Sequence, residues 1–151
     1  MTVHYLDSSV WLKRYFREDG SEAVHRLFLA QDLLAGSWLG AVEVSAAIAR
    51  QSGARHIRDS VRSEMELQLD REWAGFLCTE AVEADFVAAL VIARKDGLRG
   101  ADAIHLALAL RLGEQLRDAG DELILWTSDG ELLKAAIKAG IAVQNPVSMR
   151  G

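Results

Sequence analysis

The 151-residue sequence predicts a three-layer α/β domain, with helices covering both faces of a central parallel sheet of about five strands. Two observations carry that prediction. Short, near-continuous apolar runs recur along the chain, as expected of strands buried on both faces, and helical patterns separate them, as parallel pairing through crossovers requires. A third observation bears on domain count. There is one proline, Pro146, and no Ser/Gly-rich run or internal repeat divides the chain, so residues 1–151 read as one domain. Half the residues are hydrophobic, and a domain of this length buries roughly 68–70% of its unfolded surface, enough for a core without staples.

The elements follow in order. Residues 3–6 form the first apolar run, and Val10, Leu12, Tyr15 and Phe16 begin a helix. Ala23, Val24, Leu27 and Phe28 mark a second helix, for which Ser21 is the expected N-cap. A second strand is expected over 34–38 and a third helix over 41–50. Ile57, Val61, Met65, Leu69 and Trp73 recur every four residues, predicting a long fourth helix with a narrow apolar stripe. That stripe suits packing within the chain, and it also suits a partner helix laid in a groove. A third strand over 76–78 precedes a fifth helix marked by Val82, Phe86, Leu90 and Ala93, and a sixth helix over 101–117. The fourth strand is expected over 123–127, a seventh helix over 132–139 ending at Gly140, and the last strand over 141–143.

Charge and cysteine use narrow the function. Seventeen Lys and Arg against 22 Asp and Glu leave a net charge of −5, which weighs against nucleic-acid affinity by bulk electrostatics. A nuclease survives that argument, because a bound divalent ion supplies positive charge at the site itself. The single cysteine, Cys78, has no partner for an intramolecular disulfide, and MTVHYLDSSV lacks the regions of a signal peptide, so the expected compartment is the cytoplasm. Glu83, Asp85, His105 and Arg111 interrupt the apolar stretches before the ~20 residues of a membrane span, so no membrane is expected.

Ligands of such sheets gather beyond the carboxyl ends of the strands. Asp7 directly follows the first strand, Asp129 closely follows the fourth, and Glu43 is expected in the first turn of the third helix, at the same edge. The sixth helix must end where the fourth strand begins. At 1.5 Å per residue its ~17 residues span about 25 Å, which returns Asp102 in its first turn to that edge. Gathered carboxylates repel and tend to take up protons unless a cation intervenes. Mg²⁺ or Mn²⁺ prefers oxygen ligands, leaves positions for phosphate and activates water, so phosphodiester hydrolysis suits this set.

Each acid also has a purely structural reading. Asp7 fits the N-cap of a helix beginning near Ser9. Ser128 and Glu131 have capping-box spacing around Asp129, and Asp102 suits the positive end of its helix. Glu43, in the small apolar setting Gly40-Ala41-Val42-Glu43-Val44-Ser45-Ala46-Ala47, has no basic neighbour in sequence to explain it.

Taken together, these segments resemble the PIN-domain nucleases, and within them the VapC toxins of toxin-antitoxin pairs, over nearly the whole chain. Tyr5-Leu6-Asp7-Ser8-Ser9 is similar to the family's opening strand and first acid, and Ala41-Val42-Glu43-Val44 to the segment with the second. The run Leu98-Arg99-Gly100-Ala101-Asp102-Ala103-Ile104-His105-Leu106-Ala107 is the closest match and carries the third acid. Trp126-Thr127-Ser128-Asp129, followed by Leu132, Leu133, Ala135, Ala136, Gly140 and Pro146, is similar to the closing strand, fourth acid and last helix. The resemblance implies a PIN fold and a Mg²⁺- or Mn²⁺-dependent endoribonuclease with Asp7, Glu43, Asp102 and Asp129 as catalytic and metal-binding residues. It further implies Ser9 and Thr127 as polar accessories, an RNA substrate, a homodimer and a VapB-like antitoxin as partner. Trp38-Leu39-Gly40 replaces the more hydroxyl-rich lead-in of the family, which touches a substrate contact there rather than the acid.

Arg50, Arg55, Arg58, Arg94, Lys95 and Arg99, with Lys13 and Arg14 nearer Asp7, are the basic residues expected along an RNA path. Trp11, Trp38, Trp73 and Trp126 are candidates for base stacking or for the core, and His105 for the rim of the site or for helix packing. Two rival readings stand beside the nuclease. A haloacid-dehalogenase-type phosphatase needs a second acid two residues after Asp7, where Ser9 stands. A non-catalytic module of the same fold would have no use for four acids.

Overall fold

A computed structural model describes residues 1–148. Five parallel strands, β1 (Thr2–Leu6), β2 (Leu33–Gly36), β3 (Leu77–Cys78), β4 (Glu122–Trp126) and β5 (Ala142–Gln144), lie in the order β3-β2-β1-β4-β5. Their connections carry α1 (Ser8–Trp11) with a 3₁₀ turn over Leu12–Arg14, α2 (Ser21–Leu29), α3 (Trp38–Ala54), α4 (Asp59–Trp73), α5 (Glu83–Asp96), α6 (Gly100–Asp118) and α7 (Gly130–Lys138).

Alternation along the strands divides the core. Val3 and Tyr5 of β1, Ala35 of β2, and Leu123 and Leu125 of β4 point to one face, where they pack with α5, α6 and α7. Leu6 and Trp126 point to the other face, with Val10, Trp11, Val24, Leu27, Val44, Ile48 and Leu69 of α1 to α4. This period of two gives each face its own apolar set, and together they make the expected three layers. The apolar stripe of α4 turns inward: Leu69 is buried and Met65 and Trp73 pack against the same cluster, as does Ile57, which the sequence pattern placed in this helix but which precedes its start at Asp59.

Strand order explains where a ligand can sit. From β1 the chain moves outward to β2 and β3 through helices on one face, then crosses back to β4 and on to β5 through helices on the other, as right-handed crossovers demand. The carboxyl ends of β1 and β4 therefore feed helices on opposite faces, and the crevice between them is the topological switch point.

Several boundaries depart from sequence expectation. The second strand stops at Gly36, and Trp38 starts α3, because Ser37 caps that helix by accepting from Gly40 N–H at 3.1 Å. Glu43 consequently lies in the second turn of α3, not the first. Ser21 is the first residue of α2, and Gly20 is its N-cap at φ 89°. A side chain there would be strained, and its Cβ would stand 3.1 Å from the Pro146 and Val147 backbone. The Ser21 hydroxyl instead donates to Phe16 C=O and accepts from Glu18 N–H.

Candidate active site

Asp7 stands immediately beyond β1 and is 2% exposed. Its Oδ1 accepts from Ser9 Oγ–H at 2.6 Å and from Val10 N–H at 3.0 Å, and its Oδ2 accepts from Thr127 Oγ1–H at 2.5 Å. It is thus the N-cap of α1, as its structural reading expected, while its second oxygen reaches across the switch point to β4. Ser128 N–H donates to Ser9 Oγ at 3.1 Å and Asp129 N–H to Thr127 Oγ1 at 3.0 Å, closing a ring of polar contacts between the two strand ends. Burial pushes the Asp7 carboxyl above its ordinary range, against the opposing pull of the Ser9 and Thr127 hydroxyls, the charge of His105 and the Val10 amide.

Asp129 itself caps α7, with Oδ1 accepting from Glu131 N–H and Leu132 N–H at 3.1 and 2.9 Å. The capping role expected of Ser128 with Glu131 is therefore taken by Asp129, one residue later. Its other oxygen, Oδ2, accepts from Arg99 Nη2–H at 2.7 Å, and the same guanidinium donates through Nε–H to Asp102 Oδ2 at 3.2 Å. Asp102 occupies the first turn of α6. Burial and the neighbouring charge of Asp129 raise its carboxyl, and Arg99 and His105 only partly offset them.

Glu43 completes the group from α3. Its side chain is 30% exposed, and Oε1 lies 2.6 Å from His105 Nε2. His105, three residues past Asp102 on α6, is 1% exposed and holds Tyr5 Oη at 3.1 Å with Nδ1. It is therefore an inner partner of Glu43, and the rim contact considered from the sequence is closed to it.

Asp7 and Asp129 are joined through Thr127, Asp129 and Asp102 through Arg99, and Glu43 lies against His105, whose charge reaches both Asp7 and Asp102. Among the described residues no three His, Cys, Asp or Glu side chains are gathered closely enough to hold a metal between them. The hydrogen bonds give the reason, since each carboxylate is tied back to its own cap, guanidinium or imidazole. The donor set still fits a hard divalent cation: it is all carboxylate oxygen, a guanidinium already stands as a cation between two of its acids, and the most buried one is held only by neutral donors.

Three residues of the expected basic path are engaged elsewhere. Lys13 is buried in a pair with Glu18, and Arg14 pairs with Glu72 over the Phe28 ring, so proximity to Asp7 in sequence did not bring either to the site. Arg55 lies over Phe16. Arg50 lines an open cleft of about 470 Å³ with Ser8, Ser9 and Glu43, and Arg99 lies on the acids, which places these two beside the site. Trp11 and Trp126 are core residues, while Trp38 is 60% exposed.

Residues 4–138 match the family model described as the PIN domain. The chain belongs to the PIN-domain family. Within it the sequence is VapC-like: ribonuclease VapC45 of Mycobacterium tuberculosis is 32% identical over 143 residues, 95% of either chain. PAE2754 from Pyrobaculum aerophilum superposes with a TM-score of 0.65 at 22% identity, over 95% of this chain and 92% of that one. A chain of a toxin-antitoxin complex from Klebsiella pneumoniae superposes with a TM-score of 0.61 at 19% identity, over 95% and 97%. At those identities the two structures speak to the fold alone, and the family assignment rests on the sequence matches.

Proposed function

We propose that this PIN domain is a divalent-metal-dependent endoribonuclease, the toxin of a toxin-antitoxin pair, with Asp7, Glu43, Asp102 and Asp129 as its metal-binding and catalytic residues. The observation that carries the reading is Asp7: a carboxylate 2% exposed, at the switch point of the sheet, held by hydroxyls and an amide with no cation of its own among the described ion pairs. The M. tuberculosis relative, named a ribonuclease, supports RNA as the polymer. Bound among the acids, Mg²⁺ or Mn²⁺ would draw the phosphodiester to an acidic surface, polarise it and make water a competent nucleophile. The chain's own part is positional. Ser9 and Thr127 aim both oxygens of Asp7, the α7 cap takes one oxygen of Asp129 and leaves the other to the exposed Arg99, and the α6 start presents Asp102. Arg50 in the adjoining cleft is placed to meet a backbone phosphate.

The likeness to a chain of a toxin-antitoxin complex supports a VapB-like antitoxin as partner. An apolar groove lined by Trp38, Ala41, Val42, Leu69 and Trp73 suits a protein segment, and Phe86, Val87, Leu90 and Val91, each about half exposed on α5, suit a homodimer. No helix among the described residues is long and apolar enough to cross a membrane. We read the protein as cytoplasmic on its single cysteine.

The test is cleavage of a mixed RNA pool by the purified chain with Mn²⁺ or Mg²⁺. Discrete fragments that vanish with EDTA and in Asp102→Asn support the reading. Intact RNA beside proven metal binding points to another phosphoryl transfer, and no metal binding to a binding module.

A further inference from the structure

Glu43 differs from the other three acids in what holds it. Asp7 and Asp129 cap helices and Asp102 meets a surface guanidinium, whereas Glu43 on α3 is held from the opposite helical layer by a histidine 1% exposed on α6. Behind that histidine lies Tyr5 of β1, with no exposed surface. A carboxylate only accepts, so at 2.6 Å from Glu43 Oε1 the His105 Nε2 must carry hydrogen. On the other side of the ring Tyr5 Oη stands 3.1 Å from Nδ1, so the imidazole is held between a buried phenol and the carboxylate.

We infer that Tyr5 and His105 form a relay, with Tyr5 Oη holding Nδ1 and Nε2–H donating to Glu43 Oε1, that makes His105 the positioning residue for Glu43, occupying Oε1 and presenting Oε2 alone to a divalent ion. The inference rests on the proposed metal site and adds to it a residue that touches neither metal nor RNA. Hydrogen-bonded partners of ligating groups fix their orientation, and removing one typically costs about 10–100-fold in metal affinity or activity. The relay also ties the two helical layers together at the sheet edge, so the acid from α3 and the acids from β1, α6 and β4 keep one registry.

The test uses Mn²⁺ titration calorimetry on the whole chain and ¹⁵N NMR of the metal-free imidazole. The wild type should show hydrogen on His105 Nε2, bonded to Glu43. His105→Leu should weaken Mn²⁺ binding about 10–100-fold, while His105→Gln, whose amide N–H falls near the Nε2 position, should remain within about threefold of wild type. Tyr5→Phe, which keeps the imidazole and covers the case of a Leu variant that does not fold, should shift the Nδ1 resonance and weaken binding about two- to fivefold. A wild-type imidazole without hydrogen on Nε2, a folded Leu variant with wild-type affinity, a Gln variant as weak as Leu, or a Tyr5→Phe variant unchanged in both readouts would overturn the relay. Wild-type protein that binds no Mn²⁺ overturns the metal reading itself and the relay with it, an outcome separate from wild-type binding that the variants leave untouched.

Discussion

Asp7 and Asp85 are each 2% exposed, and only one of them has a cation of its own. Asp85, in the first turn of α5, accepts from Val82 N–H at 2.9 Å and from both prongs of Arg111, Nε–H at 2.7 Å and Nη2–H at 2.9 Å. Arg111 Nη2–H also donates to Glu80 C=O, which fixes the fork. Burial alone would raise the Asp85 carboxyl, but the bonds from Arg111 and Val82 N–H and the Arg111 charge outweigh it and hold the group below its ordinary range. At Asp7 the donors are two hydroxyls and one amide, burial prevails, and the carboxyl is raised. The difference separates an acid that serves the fold from one held at the expense of the fold. A buried carboxylate at a switch point with neutral donors is a place where charge has been kept for something the chain does not itself supply.

The strongest way to break that comparison is to neutralise each acid in turn. Asp7→Asn should reduce metal-dependent RNA cleavage on the order of 10²–10³-fold or more, the scale seen when a single electrostatic catalytic group is removed. Asp85→Asn, in a well-folded fraction, should leave the cleavage rate within about twofold. An active Asp7→Asn would end the assignment of that residue.

Stability should run the other way. Asp85→Asn leaves Arg111 without its carboxylate and should cost about 3 kcal/mol, read by urea unfolding. Asp7→Asn removes an ionised group that burial disfavours, and the metal-free protein should melt a few degrees higher at pH 7.5. The pH dependence sharpens this. Asp7 has a folded value above its unfolded one, so its ionisation penalty is full above the folded value and fades as pH falls through it towards the unfolded value; the gain from Asp7→Asn should shrink along that interval. Asp85 has a folded value below its unfolded one, so its stabilisation is full above the unfolded value and is lost as pH falls through the folded value; the loss from Asp85→Asn should vanish there. Melting curves of the three proteins from pH 7.5 downward, in EDTA, check both signs.

The smallest effect concerns Arg99, which is 77% exposed and bridges Asp102 and Asp129. It competes with any ion drawn to those acids, and exposed pairs are weak, so Arg99→Ala should tighten Mn²⁺ binding only about two- to fivefold. Weaker binding in that variant would instead make Arg99 part of the ion's support.

The sheet and the common edge of the acids were legible in the sequence because Asp7, Asp102 and Asp129 sit within a few residues of a strand end or open a helix, with Glu43 only one turn further along α3, and strand direction follows from crossover handedness. What was illegible depends on distance along the chain. Glu43 looks unpartnered in sequence because His105 lies 62 residues away, and Asp85 shows only as a charge interrupting an apolar stretch because Arg111 is 26 residues on. Lys13 and Arg14 looked close to Asp7, but α1 is four residues long and the 3₁₀ turn carries them away to Glu18 and Glu72. Trp38 read as strand because Leu34 to Trp38 is apolar, while a single capping bond from Ser37 was enough to begin a helix there.

The most direct test of the central claim is calorimetric titration of Mn²⁺ into three proteins: wild type, Asp85→Asn and Asp7→Asn. Saturable binding to the first two and its loss in the third is the predicted result. Equal binding by Asp7→Asn, or no binding by the wild type, would contradict the account of Asp7 as a carboxylate kept for a cation.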